Sequence, residues 1–109
     1  DSKLAADLLA ASENTDEHIW RLPLMDEFAE YIKSDIAEIK NLGPRWGSPI
    51  TAAKFLESFV GKNIKWAHLD IAGPAGKSKF KSYTEKYNTA FGVRLLVDYL
   101  ATAASEPYS

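Results

Sequence analysis

The sequence predicts an α/β fold, and three observations carry that expectation. Trp66, His68 and Asp70 alternate with Ala67, Leu69 and Ile71, a period of two that puts the two sets on opposite faces of a strand. Segments with helical spacing and short extended segments follow one another in the order helix, strand, helix, strand, helix. The strand at residues 66–72 is apolar on one face and carries Trp and His on the other, a composition built to be covered on both sides. Two or three short strands make a poor sheet by themselves, so the chain reads as a piece of a larger one. Asp70 lies near the end of this strand, and Gly73-Pro74 favours a turn after it. Ligands of open α/β sheets bind outside the carboxyl ends of the strands, which places a site around residues 70–75.

Residues 2–13 read as a helix. Leu4, Leu8 and Ala11 form one face with Ala5 and Leu9 beside it, while Ser12 faces elsewhere. Residues 14–17 break the pattern. Residues 19–24, apolar except for Arg21 and holding Pro23, read as a short extended segment at a sheet edge or a helix approach. Residues 25–33 read as helical, with Phe28 and Ile32 on a shared face and Asp26 and Glu27 suited to the dipole at its start. Residues 35–42 read as irregular to extended, and 43–47 as a loop carrying Arg45 and Trp46. Ser48-Pro49 is a strong helix start, and Ile50, Ala53, Leu56 and Val60 continue at helical spacing up to Gly61, where a left-handed cap belongs. After the strand, residues 73–88 form a long loop carrying Lys77, Lys79, Lys81 and Lys86. The last helix covers 91–104, with Leu95, Leu96, Tyr99, Leu100 and Ala103 on one side.

Composition narrows the function. The 109 residues fit one domain or a piece of one, and the chain opens at Asp1, not at a methionine. Hydrophobic residues make up 46% and charged residues 26%, ordinary for a globular protein. The formal net charge is −2 and Lys and Arg are scattered, which argues against a nucleic-acid partner. No apolar run reaches the roughly 18 residues of a membrane span. The chain has no cysteine, which excludes disulfides and thiol ligands and agrees with a reducing cytoplasm. It has no Gly-x-Ser-x-Gly elbow and no Ser-His-acid set for a nucleophilic hydrolase.

Few side chains invite a chemical role. His68 and Asp70, two apart on one strand face, suit a buried hydrogen-bonded pair better than a metal site. His18 stands alone, and Asp26, Glu27 and Glu30 read as a solvated helix surface. Arg45 and Trp46 suit a recognition tip or a stacked subunit contact equally. The lysines of the 76–86 stretch read as a solvated loop fastened by Phe80, Tyr83 and Tyr87.

Three strings resemble one family in order and spacing: Ile-Trp-Arg-Leu-Pro-Leu at 19–24, Trp-Ala-His-Leu-Asp-Ile-Ala-Gly at 66–73, and Thr-Ala-Phe-Gly-Val-Arg-Leu-Leu-Val-Asp-Tyr-Leu at 89–100. The 33–43 and 50–56 stretches fit between them. Together they resemble the C-terminal part of the catalytic domain in the leucine aminopeptidase (cytosol aminopeptidase) family. The resemblance implies a three-layer α/β/α sandwich with a mixed sheet, of which residues 1–109 are a fragment. It implies two divalent metals, zinc or manganese, that activate water against the first peptide bond of a substrate with a free N-terminus. It also implies a homohexamer.

The family's metal ligands, a lysine and several carboxylates, lie in an earlier segment that includes Asn-Thr-Asp-Ala-Glu-Gly-Arg. Asn14-Thr15-Asp16-Glu17 copies only the start of that signature and stands in the wrong place, so it reads as a helix-to-strand turn. No catalytic residue and no metal ligand therefore carries over. The resemblance does assign Ala72 and Ala75 to the pocket for the substrate's N-terminal side chain. Two small residues leave it roomy enough for Leu or Met. Where the family often has Thr-Gly, this chain has Thr89-Ala90, and a positive φ there would strain the alanine. The alternative is a free-standing, non-catalytic α/β interaction module derived from the same fold.

Overall fold

The structure, a computed structural model, describes residues 1–32, 48–72, 74 and 89–107. It contains helix α1 (Ser2–Thr15), a 3-10 helix (Asp26–Ile32), helix α2 (Ser48–Glu57) and helix α3 (Val93–Ser105). Among the described residues there is no strand. This corrects the α/β class and, with it, the mixed sheet of an α/β/α sandwich. Residues 66–72 alternate in sequence but form no ladder with any described residue. Alternation fixes which way successive side chains would point. A strand also needs a neighbour to pair its N–H and C=O groups, and the local pattern does not supply one. Residues 19–24 are likewise non-helical and unladdered. The expectations for 35–42, 43–47 and 75–88 lie outside the described residues.

The chain forms two compact units, Asp1–Trp20 with Leu69–Ser109, and Arg21–His68. In the first, α1 packs along α3. Leu8, Ala11 and Leu95 are buried, and Leu4, Ile19 and Tyr99 pack against them. Among the described residues Leu95 is the most enclosed side chain, at 1% exposure. Asp1 caps α1, its carboxylate accepting from the Leu4 N–H at 2.8 Å. Ser12 does not face away as its spacing suggested. It is buried, and its hydroxyl accepts from the Ile19 N–H at 3.1 Å, turning the chain back onto the core. Asp16 ends α1 in the left-handed conformation, with φ 57°.

Helix α3 has no capping side chain of its own, because its N-cap is Gly92. With φ at 98°, Gly92 occupies backbone that only glycine adopts freely, although no neighbour within 4 Å would obstruct a Cβ. Glu17 supplies what is missing. One of its oxygens, Oε2, accepts from the Gly92 N–H at 2.7 Å and the Leu95 N–H at 3.3 Å. Those are the two donors that a capping box satisfies with two different side chains. The other oxygen accepts from Arg94 Nε at 3.3 Å. Arg94 in turn donates to the Thr15 carbonyl at 2.5 Å, covering the C-terminal end of α1. Glu17 is 7% exposed, so its charge is held by these partners and by the positive end of α3 rather than by water.

The second unit is built differently. Its helices, the 3-10 helix and α2, pack together, but the buried positions of α2 are Thr51, Ala53 and Lys54, while Leu56 is exposed. The α2 helix ends at Glu57, four residues before Gly61, and then tightens through bonds from Phe59 N–H to the Leu56 carbonyl and from Val60 N–H to the Glu57 carbonyl. Lys54 donates to Glu57 at 2.7 Å and to Asp26 at 3.0 Å. Burial is the largest single effect on its pKa and lowers it. The bonds and charges of Glu57 and Asp26 together outweigh burial and hold the ammonium above its ordinary value of 10.5.

Two outcomes are expected. Replacing Glu17 with Ala removes three charge-assisted bonds and lowers the free energy of unfolding by about 2 kcal/mol, with Glu17→Gln losing less; urea denaturation measures both. Because the folded-state pKa of Lys54 lies above the unfolded one, its network contributes fully below 10.5 and is lost as pH rises through the folded value. Thermal melts at pH 8 and pH 11 should therefore differ by more in the wild type than in Lys54→Met.

Candidate functional site

Of the stretch expected to carry a site, residues 70–72 and 74 are described, and they include a turn. The Asp70 carboxylate accepts from the Ala72 N–H at 3.1 Å, a side chain closing a turn on the backbone two residues on. Ala72 itself is exposed. Pro74 follows, and its carbonyl accepts from the Thr89 hydroxyl at 2.6 Å. The same hydroxyl oxygen accepts from the Phe91 N–H at 3.3 Å, one residue before the N-cap of α3. The turn is thus tied to the end of α3 that Glu17 holds. Ala75, the second expected pocket residue, lies outside the described residues.

Asp70 is exposed and committed to this turn, so it is not half of the buried His-Asp pair that the spacing suggested. His68 instead stacks on Trp66, with ring centroids 6.5 Å apart and planes 26° apart. His18 is not alone: its Nε2 lies 2.7 Å from an Asp16 oxygen, on the exposed surface, where such a pair contributes little. Asn14 donates to Asp98 at 3.2 Å across α1 and α3. The partial signature at 14–17 is therefore a helix end and a cap for another helix. Arg45, Trp46, Lys77, Lys79, Phe80, Lys81, Tyr83, Lys86 and Tyr87 lie outside the described residues.

A metal pair needs converging carboxylates, histidines or lysine. Among the described residues no three of His, Asp and Glu converge. The nearest candidates have other work: Glu17 caps α3, Asp70 closes the turn, and Asp26 and Glu57 hold Lys54. The described residues do not fit the two-metal centre that the resemblance implies. Likewise, among the described residues no helix is long and apolar enough to cross a membrane.

Sequence reasoning missed Glu17, Thr89 and Arg94. One signal was present for the first. A helix that starts Gly-Val-Arg-Leu brings no capping oxygen at its first positions, so an acceptor must come from elsewhere in the chain. Spacing does not say that this acceptor stands 75 residues away.

The described residues of the first unit thus form two packed helices with a braced turn at the N-terminal end of the second. Residues 1–97 match the cytosol aminopeptidase family, catalytic domain, and the chain belongs to that family as a C-terminal part of the domain. It is 52% identical over 100 residues to a probable cytosol aminopeptidase of Protochlamydia amoebophila, and 51% identical over 100 residues to one of Geobacter sulfurreducens. Each match covers 92% of this chain and 20% of the relative. The chain thus spans about a fifth of the length of the curated relatives it matches. Among solved structures, the bottromycin maturation enzyme BotP in complex with Mn superposes with a TM-score of 0.89 at 38% identity, covering 96% of this chain and 23% of that one. A mutant tomato leucine aminopeptidase gives 0.84 at 35% identity, covering 94% and 19%.

Ala90 has φ 51°, the positive value that the Thr-Ala departure from the family string raised as a concern. A left-handed alanine costs roughly 1 kcal/mol relative to glycine, less the extra unfolded-chain entropy that glycine brings. Ala90→Gly is expected to raise the unfolding free energy by up to about 1 kcal/mol, measured by chemical denaturation.

Proposed function

We propose that this chain is part of a two-metal leucyl aminopeptidase that removes N-terminal residues from peptides. The observation that carries the reading is the family match over residues 1–97, together with about half identity to proteins named as cytosol aminopeptidases. In this reading residues 1–109 are the C-terminal portion of the catalytic domain and contribute fold and substrate-pocket wall. The metal pair, zinc or manganese, is held by residues outside this segment. The manganese in the BotP complex supports manganese as one of the two candidates. The substrate is a peptide with a free N-terminus, and the enzyme works in the cytoplasm as a homohexamer in association with the rest of its own polypeptide.

Ala72 and Ala75 line the pocket for the substrate's N-terminal side chain. For Ala72, support comes from its exposure, its small side chain and its seat in a turn fixed on both sides by hydrogen bonds. A methyl wall leaves room for branched and unbranched apolar side chains. A methylene more or less in such a pocket changes binding by about 1–3 kcal/mol, so preference is broad rather than absolute.

The test compares two polypeptides. Supplied with zinc or manganese, the 109-residue chain is expected to bind no stoichiometric metal and to leave leucine p-nitroanilide intact. The longer polypeptide proposed to contain it should do both. Turnover by the 109-residue chain would overturn the division of labour, and its absence from the longer polypeptide would overturn the function.

A further inference from the structure

We infer that Thr89 is a positioning residue for substrate selectivity; this rests on the reading of Ala72 as pocket wall. The turn that carries Ala72 is fixed at two points. Asp70 holds the Ala72 amide from within the turn, at 3.1 Å. The second hold comes from a residue 15 positions on: the Thr89 hydroxyl donates to the Pro74 carbonyl at 2.6 Å, the shorter of the two bonds. The Asp70 bond is local and moves with the turn. The Thr89 bond ties the turn to a residue outside it, and so it bears on where the turn stands.

What Thr89 ties it to is itself held by hydrogen bonds. Its oxygen accepts from the Phe91 N–H at 3.3 Å, and the next residue, Gly92, is held by the buried Glu17 carboxylate at 2.7 Å. The route runs from Glu17 to the start of α3, to Thr89, to the carbonyl two residues beyond Ala72. A hydroxyl is suited to this post because it donates and accepts at once. Valine matches threonine in shape and does neither. Serine does both. Loss of the hydroxyl leaves the Pro74 carbonyl without its tie and lets the Ala72 wall shift. A shifted wall loosens the fit of a large N-terminal side chain more than that of a small one, and it leaves the reacting centre alone.

The experiment is run in the longer aminopeptidase polypeptide, with leucine and alanine p-nitroanilides as probes and thermal unfolding recorded beside them. For Thr89→Val the expected result is a fall of about threefold to tenfold in the leucine-to-alanine ratio of kcat/KM, seen as a raised KM for leucine with kcat kept within about twofold. Thr89→Ser should restore the ratio. Thr89→Ala, which adds no new atoms, repeats the test if the valine variant does not fold. An unchanged ratio in the folded variants, a fall in kcat equal for both substrates, no rescue by serine, or failure of all hydroxyl-free variants to fold would each overturn the inference. Ala72→Val separates it from the underlying reading. If that variant changes the ratio and Thr89→Val does not, only the inference falls. If neither changes it, the pocket assignment falls and takes the inference with it.

Discussion

The carboxylate of Glu17 is the contact on which the Asp1–Trp20 and Leu69–Ser109 unit depends. A buried carboxylate without partners is severely destabilising. Here one oxygen takes two backbone amides of the first turn of α3 and the other takes a guanidinium. The desolvation of the charge is offset by donors that would themselves be orphaned without it. The Leu95 amide bonded to Glu17 belongs to the residue whose side chain is the most enclosed in the core. Capping and packing therefore share one residue, and a shift of α3 that spoiled either would spoil both. Arg94 adds the second helix, since the same guanidinium that touches Glu17 covers the last carbonyl of α1.

The Arg21–His68 unit meets the same problem with the opposite charge. Lys54 is 6% exposed, and it is held by one carboxylate on its own helix and one on the 3-10 helix. The two partners are not equivalent. Asp26 is fully open to solvent, where salt screens it, whereas Glu57 is more enclosed and sits one turn away along α2. The Lys54 side chain is almost wholly enclosed and its ammonium is met by the two carboxylates, so a charged residue takes a buried position of α2 beside Ala53 and Thr51 while Leu56 is exposed.

Helices were legible where spacing and chain breaks agreed. Leu4, Leu8 and Ala11 marked α1, Ser48-Pro49 marked the start of α2, and the Leu95 and Tyr99 pair marked the inner side of α3. The end of α2 was misplaced because Gly61 offered a cap that the helix does not reach. Ser12 was misread because burial of a hydroxyl depends on the remote amide it satisfies, here that of Ile19. The alternation at 66–72 was real in sequence and did not make a strand among the described residues, because pairing is a property of two segments and periodicity is a property of one. Of the site, Ala72 was readable only through resemblance. The tie from Thr89 to Pro74 joins residues 15 apart and leaves no periodic trace.

Helix α3 shows how far one cap reaches. Leu95 and Tyr99 turn toward α1, while Val93, Leu96, Val97 and Leu100 stand exposed on the remainder of its surface. Arg94, Asp98 and Thr102 recur every four residues as a polar stripe, so the helix has a polar side and an apolar one. Polar contacts with fixed directions add to that preference in setting its rotation. Glu17 bonds to the amides of Gly92 and Leu95, and Asn14 bonds to Asp98 further along. These contacts fix the helix about its axis, and with it the direction in which Phe91 and Thr89 leave its N-terminus. Among the described residues, the Thr89 hydroxyl links the Ala72 turn to that direction. Discrimination worth only about 1–3 kcal/mol per methylene is sensitive to small displacements of a pocket wall. Under the proposed reading of Ala72 as pocket wall, a buried charge 55 residues upstream thereby bears on which N-terminal side chain is preferred.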